Sequence, residues 1–469
     1  MNAADDTAPG QPAAGLSTPS PATQGAAVWA ARRARLLAQM TPGAVAMLAT
    51  AAVAPRNGDS DYPYRHDSAF YYLTGFTEPD SALALVAARG DTPSRAILFC
   101  REKNPEREIW DGHRHGPDGA RLAFGVDAAF AIAELDAQMG QLLANAPALY
   151  YALGHSAALD AQVQAWLGQL RRQARSGVQA PAAACDLPPL IDEMRLFKDD
   201  AEQALMRRAA SISGLAHARA MRASRPGQFE YEIEAELLYE FRRHGAQFPA
   251  YTPIVAGGAN ACVLHYQQNN ARVADGELVL IDAGCEFDGY AADITRTYPV
   301  NGRYTAPQRT LYELVLAAQA AALAAVRPGA RYAGIHEAAV RVLAQGMLDT
   351  GLLQTHVVGN VDDVIAEQRY LQFYMHGTGH WLGMDVHDVG QYRDVAAPDK
   401  PSRPLQPGMV LTVEPGIYVR PAAGVPEQYW NIGIRIEDDV LVTADGHSIL
   451  SATTPKTVAE IEQLMRRPT

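Results

Sequence analysis

The chain has 469 residues, 48% hydrophobic and 20% charged, which is a globular balance with enough apolar material for more than one domain. Its formal net charge of -12 excludes nucleic acid as a partner, because phosphate binding needs a basic face, and argues equally against an anionic membrane surface. The four cysteines, Cys100, Cys185, Cys262 and Cys285, form no C-x-x-C pair and read as the reduced thiols of a cytoplasmic protein.

Residues 1 to 26 are rich in Ala, Pro, Thr, Ser and Gly and lack a basic stretch followed by an apolar one. They read as a disordered tail, not a secretory signal. A basic helix is expected around Ala31 to Met40, strands at Ala44 to Ala49, Ala82 to Ala87 and Arg95 to Phe99, and helices near Ala128 to Asn145 and Ala158 to Arg175. Alternating strands and helices make residues 27–197 a first α/β domain. Pro188-Pro189 is expected to end an element. Asp199, with Glu202 three residues on, forms a capping-box start for a helix over Ala201 to Arg222, and another helix follows over Gln228 to His244. The second domain, 198–469, opens there.

Beyond Tyr251 the pattern changes to strands. Leu278 to Glu286 and Tyr290 to Val300 flank Asp288-Gly289, a two-residue hairpin signal. Helices return at Pro307 to Val326 and Tyr332 to Thr350, and strands at Met409 to Glu414, Gly416 to Arg420, Asn431 to Glu437 and Val440 to Thr443. The longest apolar-looking run, Leu314 to Val326, is interrupted by Gln319 and too short to span a bilayer. The second domain is therefore α+β with long antiparallel pairs, and no clean internal repeat is visible in its sequence.

The hairpin carries a geometric test. With Asp288-Gly289 as the turn, Phe287 faces Tyr290 and Asp293 faces Gly284, which shares a face with Asp282 two positions back. The two aspartates thus project from one face as diagonal neighbours. Asp282 ends the apolar run Leu278-Val279-Leu280-Ile281, at a core edge where a carboxylate needs a partner. Glu414 follows a second apolar run and precedes Pro415-Gly416, and Glu437 ends an alternating stretch in which Arg435 shares its face as a candidate holding group. The segment His376-Gly-Thr-Gly-His380 continuing to His387 gathers three of the 13 histidines around glycines that let backbone approach a ligand closely. Four carboxylates and one imidazole suit paired hard or borderline divalent ions better than a structural zinc.

These pieces resemble the creatinase/aminopeptidase superfamily with the pita-bread fold, and most closely the Xaa-Pro aminopeptidase (aminopeptidase P) family. The resemblance runs in order through Tyr62-Pro-Tyr-Arg-His-Asp-Ser68, Tyr72-Leu-Thr-Gly-Phe-Thr-Glu-Pro79, Glu193-Met-Arg-Leu-Phe-Lys198, Ile281-Asp-Ala-Gly284, Ala292-Asp-Ile-Thr-Arg296, His376 to Gly390, Thr412-Val-Glu-Pro-Gly-Ile-Tyr418 and Gly433-Ile-Arg-Ile-Glu-Asp438. It implies a pita-bread catalytic domain behind a smaller α/β domain, with two divalent metals, usually manganese, held by Asp282, Asp293, His380, Glu414 and Glu437. It selects His380 over His376 as the ligand. His387 lies at the spacing of a second histidine in the related methionine aminopeptidases. It places His265, His376 and His387 along the site, Tyr418 and Arg435 behind the ligands, and Trp110 at a neighbouring subunit's site in a homodimer or homotetramer.

The expected activity is hydrolysis of the bond before a proline at the second position of a peptide. Glu414 acts as proton shuttle, one of the catalytic candidates His265, His376 and His387 protonates the leaving nitrogen, and His387 or His265 could instead hold the carbonyl oxygen. Prolidase, which takes Xaa-Pro dipeptides, is the nearest alternative on the same ligands. A non-catalytic binding protein on this fold is disfavoured because such relatives typically lose ligands.

Overall fold

The computed structural model describes residues 25–466. Most of the tail expected over residues 1 to 26 lies outside the described residues, but Ala26 already opens the helix Ala26–Leu37, five residues before the basic stretch that announced it. Strand Val45–Ala49 sits inside a six-stranded mixed sheet. It pairs antiparallel with Ala82–Val86, which pairs antiparallel with Arg95–Cys100, and parallel with Ala148–Tyr151. Ala128–Ala131 and Ala183–Asp186 close the two edges in parallel. Side chains alternate across this sheet. Val45, Met47, Ala84, Ile97 and Phe99 face a core covered by the helices Leu135–Leu143 and Ala157–Arg172, whereas Ala46, Leu48, Leu83, Leu85 and Leu98 belong to a core continuous with the rest of the molecule.

Two expectations change here. The helix expected from Ala128 is a strand over its first four residues, Ala128–Ala131, because pairing with Ile97–Cys100 outweighs the helical preference of alanine. Pro188 and Pro189 do not end an element. They open the helix Pro188–Leu196, where a missing N–H is no loss.

The helix Asp200–Ala223 starts as read. Asp199 Oδ1 accepts from the Glu202 amide at 2.9 Å, and Glu202 Oε2 accepts from the Asp199 amide at 2.9 Å. It packs against Glu230–Arg243, and a second pair, Ala306–Ala325 and Tyr332–Asp349, packs likewise. Between these pairs lie short antiparallel sheets. Residues Leu278–Asp282 pair with Ile254–Gly257 and Thr295–Pro299, Val410–Val413 with Asp438–Val442, and Gly416–Val419 with Ile432–Arg435. The long strands expected around Asp288-Gly289 are each broken in two, but the register is the one the turn dictates, with Phe287 opposite Tyr290 and Asp282 opposite Thr295. The break falls at Gly284, where a Cβ would lie 1.7 Å from the Ala292 carbonyl oxygen. Among the described residues no helix is long and apolar enough to cross a membrane.

Candidate metal centre

Asp282 is the last residue of its strand, and Asp293 lies in the turn of chain between the two halves of the returning strand. The hydroxyl of Tyr251 joins them, lying 2.5 Å from Asp282 Oδ1 and within hydrogen-bond reach of Asp293 Oδ1, so that its one hydrogen is shared between the two carboxyl groups. The segment carrying His380 runs beside Val410–Val413. The Thr412 amide donates to the His380 carbonyl at 2.9 Å, and the Glu414 amide to the Thr378 carbonyl at 2.8 Å. This pairing brings His380 and Glu414 side by side, and it requires Gly379, where a Cβ would lie 2.0 Å from the Thr412 oxygen. Glu437 reaches the group because its amide donates to the Thr295 carbonyl at 3.1 Å.

Donor atoms of Asp293, His380 and Glu437 lie within 4.8 Å of one another. His380 Nε2 is 3.3 Å from Asp293 Oδ2 and 3.7 Å from Glu414 Oε1. Asp282 and Glu414 line the same cavity of about 320 Å³, together with His265, His376, His387 and Arg435. All five expected ligands, the three histidines and Arg435 therefore converge. Tyr418 stands one step behind. Its hydroxyl accepts from Arg435 Nη1 at 3.0 Å and lies 2.8 Å from His376 Nε2. Trp110 is elsewhere, 82% exposed on the helix Pro105–Asp111 of the N-terminal part.

One holding contact differs from the sequence reading. Arg435 Nη2 donates to Asp282 Oδ2 at 2.6 Å, not to Glu437. Glu437 Oε2 instead accepts from Thr295 Oγ1 at 2.6 Å, and Arg435 Nε donates to that same hydroxyl at 3.2 Å. Same-face spacing along one strand put Arg435 near Glu437, but the guanidinium reaches across to the neighbouring sheet. Tyr251 and Thr295 were missed altogether. Tyr251 precedes Thr252-Pro253 in a stretch with no periodicity, so nothing short of the fold points to it.

The electrostatics show what this donor set is suited for. Burial, then the charges of Asp293, Glu414 and Asp282, hold the Glu437 carboxyl well above the usual carboxylate range. Burial raises Glu414 to about 7 despite the pull of His380 and Arg435. Burial also raises Asp282 against the opposing charge of Arg435. His380 moves the other way: burial works against its charge, but the Asp293 and Glu414 carboxylates lift it to about 9. Four acids share two cationic side chains, and multivalent positive charge fits such a group. His376 is held neutral, since burial and Arg435 lower it to about 3.

Comparison with known proteins agrees with this geometry. The family described as Metallopeptidase family M24 matches residues 204–444, and Aminopeptidase P, N-terminal domain, matches residues 29–150. The Xaa-Pro aminopeptidase of Escherichia coli strain K12 is 47% identical over 434 residues, covering 92% of this chain and 96% of that protein. The structure of Pseudomonas aeruginosa aminopeptidase PepP superposes with a TM-score of 0.90 at 49% identity, covering 94% of this chain and 98% of that one. A zinc-substituted Escherichia coli aminopeptidase P in complex with product superposes at 0.90 with 46% identity, covering 94% and 99%. The expected α+β fold, a catalytic domain behind a smaller N-terminal one, is thus the fold of these enzymes. The chain belongs to metallopeptidase family M24, carries the N-terminal domain of aminopeptidase P, and is a metallo-aminopeptidase.

Proposed function

We propose that the protein is a dinuclear metal-dependent aminopeptidase that releases the first residue of peptides with proline at the second position. The observation that carries this reading is the convergence of Asp282, Asp293, His380, Glu414 and Glu437 on one cavity. The N-terminal domain match, and the name Xaa-Pro aminopeptidase on relatives that cover nearly the whole chain, favour it over a dipeptidase. We assign the five residues as ligands on the strength of the oxygen-rich donor set, and Mn²⁺ as the ion on the strength of the family resemblance. When bound, such a pair of ions lowers the pKa of a water and polarises a carbonyl.

The chain's own groups do the rest. Glu414, raised to about 7, is matched to accept a proton from the attacking water and to give it up again. The nitrogen of an X-Pro bond carries no hydrogen and must gain one to leave. His265 and His387, both exposed on the cavity lining, either supply that proton or hold the carbonyl oxygen. His376 presents no charge at neutral pH and lines the path of the substrate. Arg435 fixes Asp282, and Tyr418 fixes His376. Trp110 and the adjacent Ile109, each 82% exposed, form the surface we assign to a homodimer or homotetramer. The domain boundary is proposed between residues 197 and 198, and four free cysteines fit a cytoplasmic location.

Stripping the protein with a chelator and adding Mn²⁺ back tests the reading. Cleavage of a proline-containing tripeptide should be lost and then restored. Chelator-insensitive cleavage, or activity on Xaa-Pro dipeptides alone, would overturn it.

A further inference from the structure

The segment Tyr62 to Ser68 is part of the N-terminal domain, yet its side chains reach the catalytic half. Arg65 Nε donates to Glu286 Oε2 at 3.1 Å, Nη1 to Ser68 Oγ at 2.6 Å, and Nη2 to the Met384 carbonyl oxygen at 2.9 Å. Ser68 Oγ donates onward to Asp385 Oδ1 at 2.6 Å. From the other side, Arg195 Nη2 holds Asp385 Oδ2 at 2.7 Å and Asp388 Oδ1 at 2.6 Å, and Lys198 Nζ holds Asp388 Oδ2 at 2.9 Å. Met384, Asp385 and Asp388 bracket His387, whose ring centroid lies 4.2 Å from that of His380. The loop around His387 has no regular structure and the residue is exposed, so its backbone anchors set where the ring can sit. The planar fork of Arg65 joins its own helix start, the hairpin and this loop at once, which a lysine cannot do.

We propose that Arg65 and Ser68 are positioning residues for His387, so that the N-terminal domain sets the geometry of a histidine in the active-site cavity of the other domain. This rests on the reading of His387 as a residue that meets substrate. Displacing a catalytic group by about 1 Å can cost on the order of 10²-fold in rate, so an anchor lost at this distance should be visible in kcat. Arg65 also touches the hairpin through Glu286, whereas Ser68 does not, and the pair of variants separates the two routes.

In the full-length, metal-loaded protein, Arg65→Met and Ser68→Ala are each expected to lower kcat about tenfold with KM changed less than about twofold. In a His387→Ala background the same changes should cost less than about twofold, because coupled residues are not additive. Independently of activity, the His387 ring signal in a histidine-labelled NMR spectrum of the metal-free protein, assigned by its loss in His387→Ala, should shift in both variants while that of His447 stays in place. An unmoved His387 signal overturns the proposal, and so does an equal kcat cost in both backgrounds. Should His387→Ala keep full activity, the catalytic reading of His387 fails, and the ring signal alone decides the positioning. If Arg65→Met does not fold, Ser68→Ala carries the same readouts.

Discussion

Glu437 and Asp438 are neighbours in the chain, both buried, and their surroundings are opposite. Asp438 accepts from Arg296 Nη2 at 2.8 Å, Lys456 Nζ at 2.5 Å, Gln319 Nε2 at 3.1 Å and Ser451 Oγ at 2.7 Å. Burial alone would raise its carboxyl, but Arg296 and Lys456 pull it down to about 2. Glu437 accepts one hydroxyl, from Thr295, and burial, followed by the charges of Asp293, Glu414 and Asp282, pushes its carboxyl far up. Alternation along extended chain turns the two side chains to opposite sides. One side is an ion-pair cluster that the chain completes with its own cations. The other gathers acids beyond what its own cations can neutralise. On the proposed function, an acid of the first kind serves the fold and an acid of the second kind serves the reaction.

Single substitutions should separate the two. Glu437→Gln is expected to reduce turnover of an X-Pro peptide on the order of 10⁴-fold, about 5.5 kcal/mol of transition-state stabilisation, while the metal-free protein stays folded. Activity within tenfold of the parent would end the claim that Glu437 belongs to the reacting side. Arg296→Met attacks the other cluster. Arg296 is fully buried and also donates to the Glu437 carbonyl, so its loss leaves Asp438 with Lys456 as its only salt-bridge cation among the described residues. Denaturant unfolding should show a loss of about 3–5 kcal/mol, the cost of breaking a buried pair from one side. A loss under about 1 kcal/mol would mean that the cluster is not what holds this strand.

The same contrast explains what could be read from residues alone. The register that aligns Asp282 with Thr295 follows from the turn at Asp288-Gly289, and the start of Asp200–Ala223 from Asp199 and Glu202, because both depend on residues adjacent in sequence. Asp282 and Glu414 are candidates because each ends an apolar run, Glu437 because it ends an alternating stretch, and Asp293 because the hairpin register puts it on the face of Asp282. Which acid meets which partner could not be read. Asp438, placed one residue from a proposed ligand, gave no sign of its pairing with Arg296, and Arg435 went to Asp282 across a sheet gap that strand periodicity does not describe. Tyr251 acts over a long sequence separation with no local pattern to mark it, and the segment that marks Arg65 as part of the resemblance does not name its distant partners. Local chemistry was legible, and contacts made by closure of the fold were not.

Acid unfolding sharpens the comparison further. The folded pKa of Asp438, about 2, lies below the unfolded value of about 3.9. A depressed carboxyl contributes stability that is fully present above the unfolded pKa and is lost as pH falls through the folded one. Between about pH 4 and pH 2 the parent should therefore lose on the order of 2 kcal/mol that Asp438→Asn does not have to lose. Comparing the two stability curves across that window isolates this group from the other carboxylates that titrate there. Parallel curves would show that Asp438 is not held ionised by Arg296 and Lys456.

The smallest effect has the most telling sign. In metal-free protein near neutral pH, Glu437 is an acid kept above its ordinary pKa by burial and by three like-charged neighbours, so it costs stability whenever it ionises. Glu437→Gln keeps the size and can still accept from Thr295 Oγ1, while removing one of the four interacting acids. Stability of the chelator-treated protein should rise by about 1 kcal/mol, as is common when a functional site is relieved of its strain. Asp438→Asn, one residue away, should lower it, because the charge removed there is one that Arg296 and Lys456 need. Adding Mn²⁺ should stabilise the parent more than Glu437→Gln, by linkage of binding to folding, and so reverse their order. If the metal-free Glu437→Gln protein is instead less stable than the parent, the repulsion attributed to the four acids is not present, and the division between a self-completed cluster and a cation-seeking one fails at its centre.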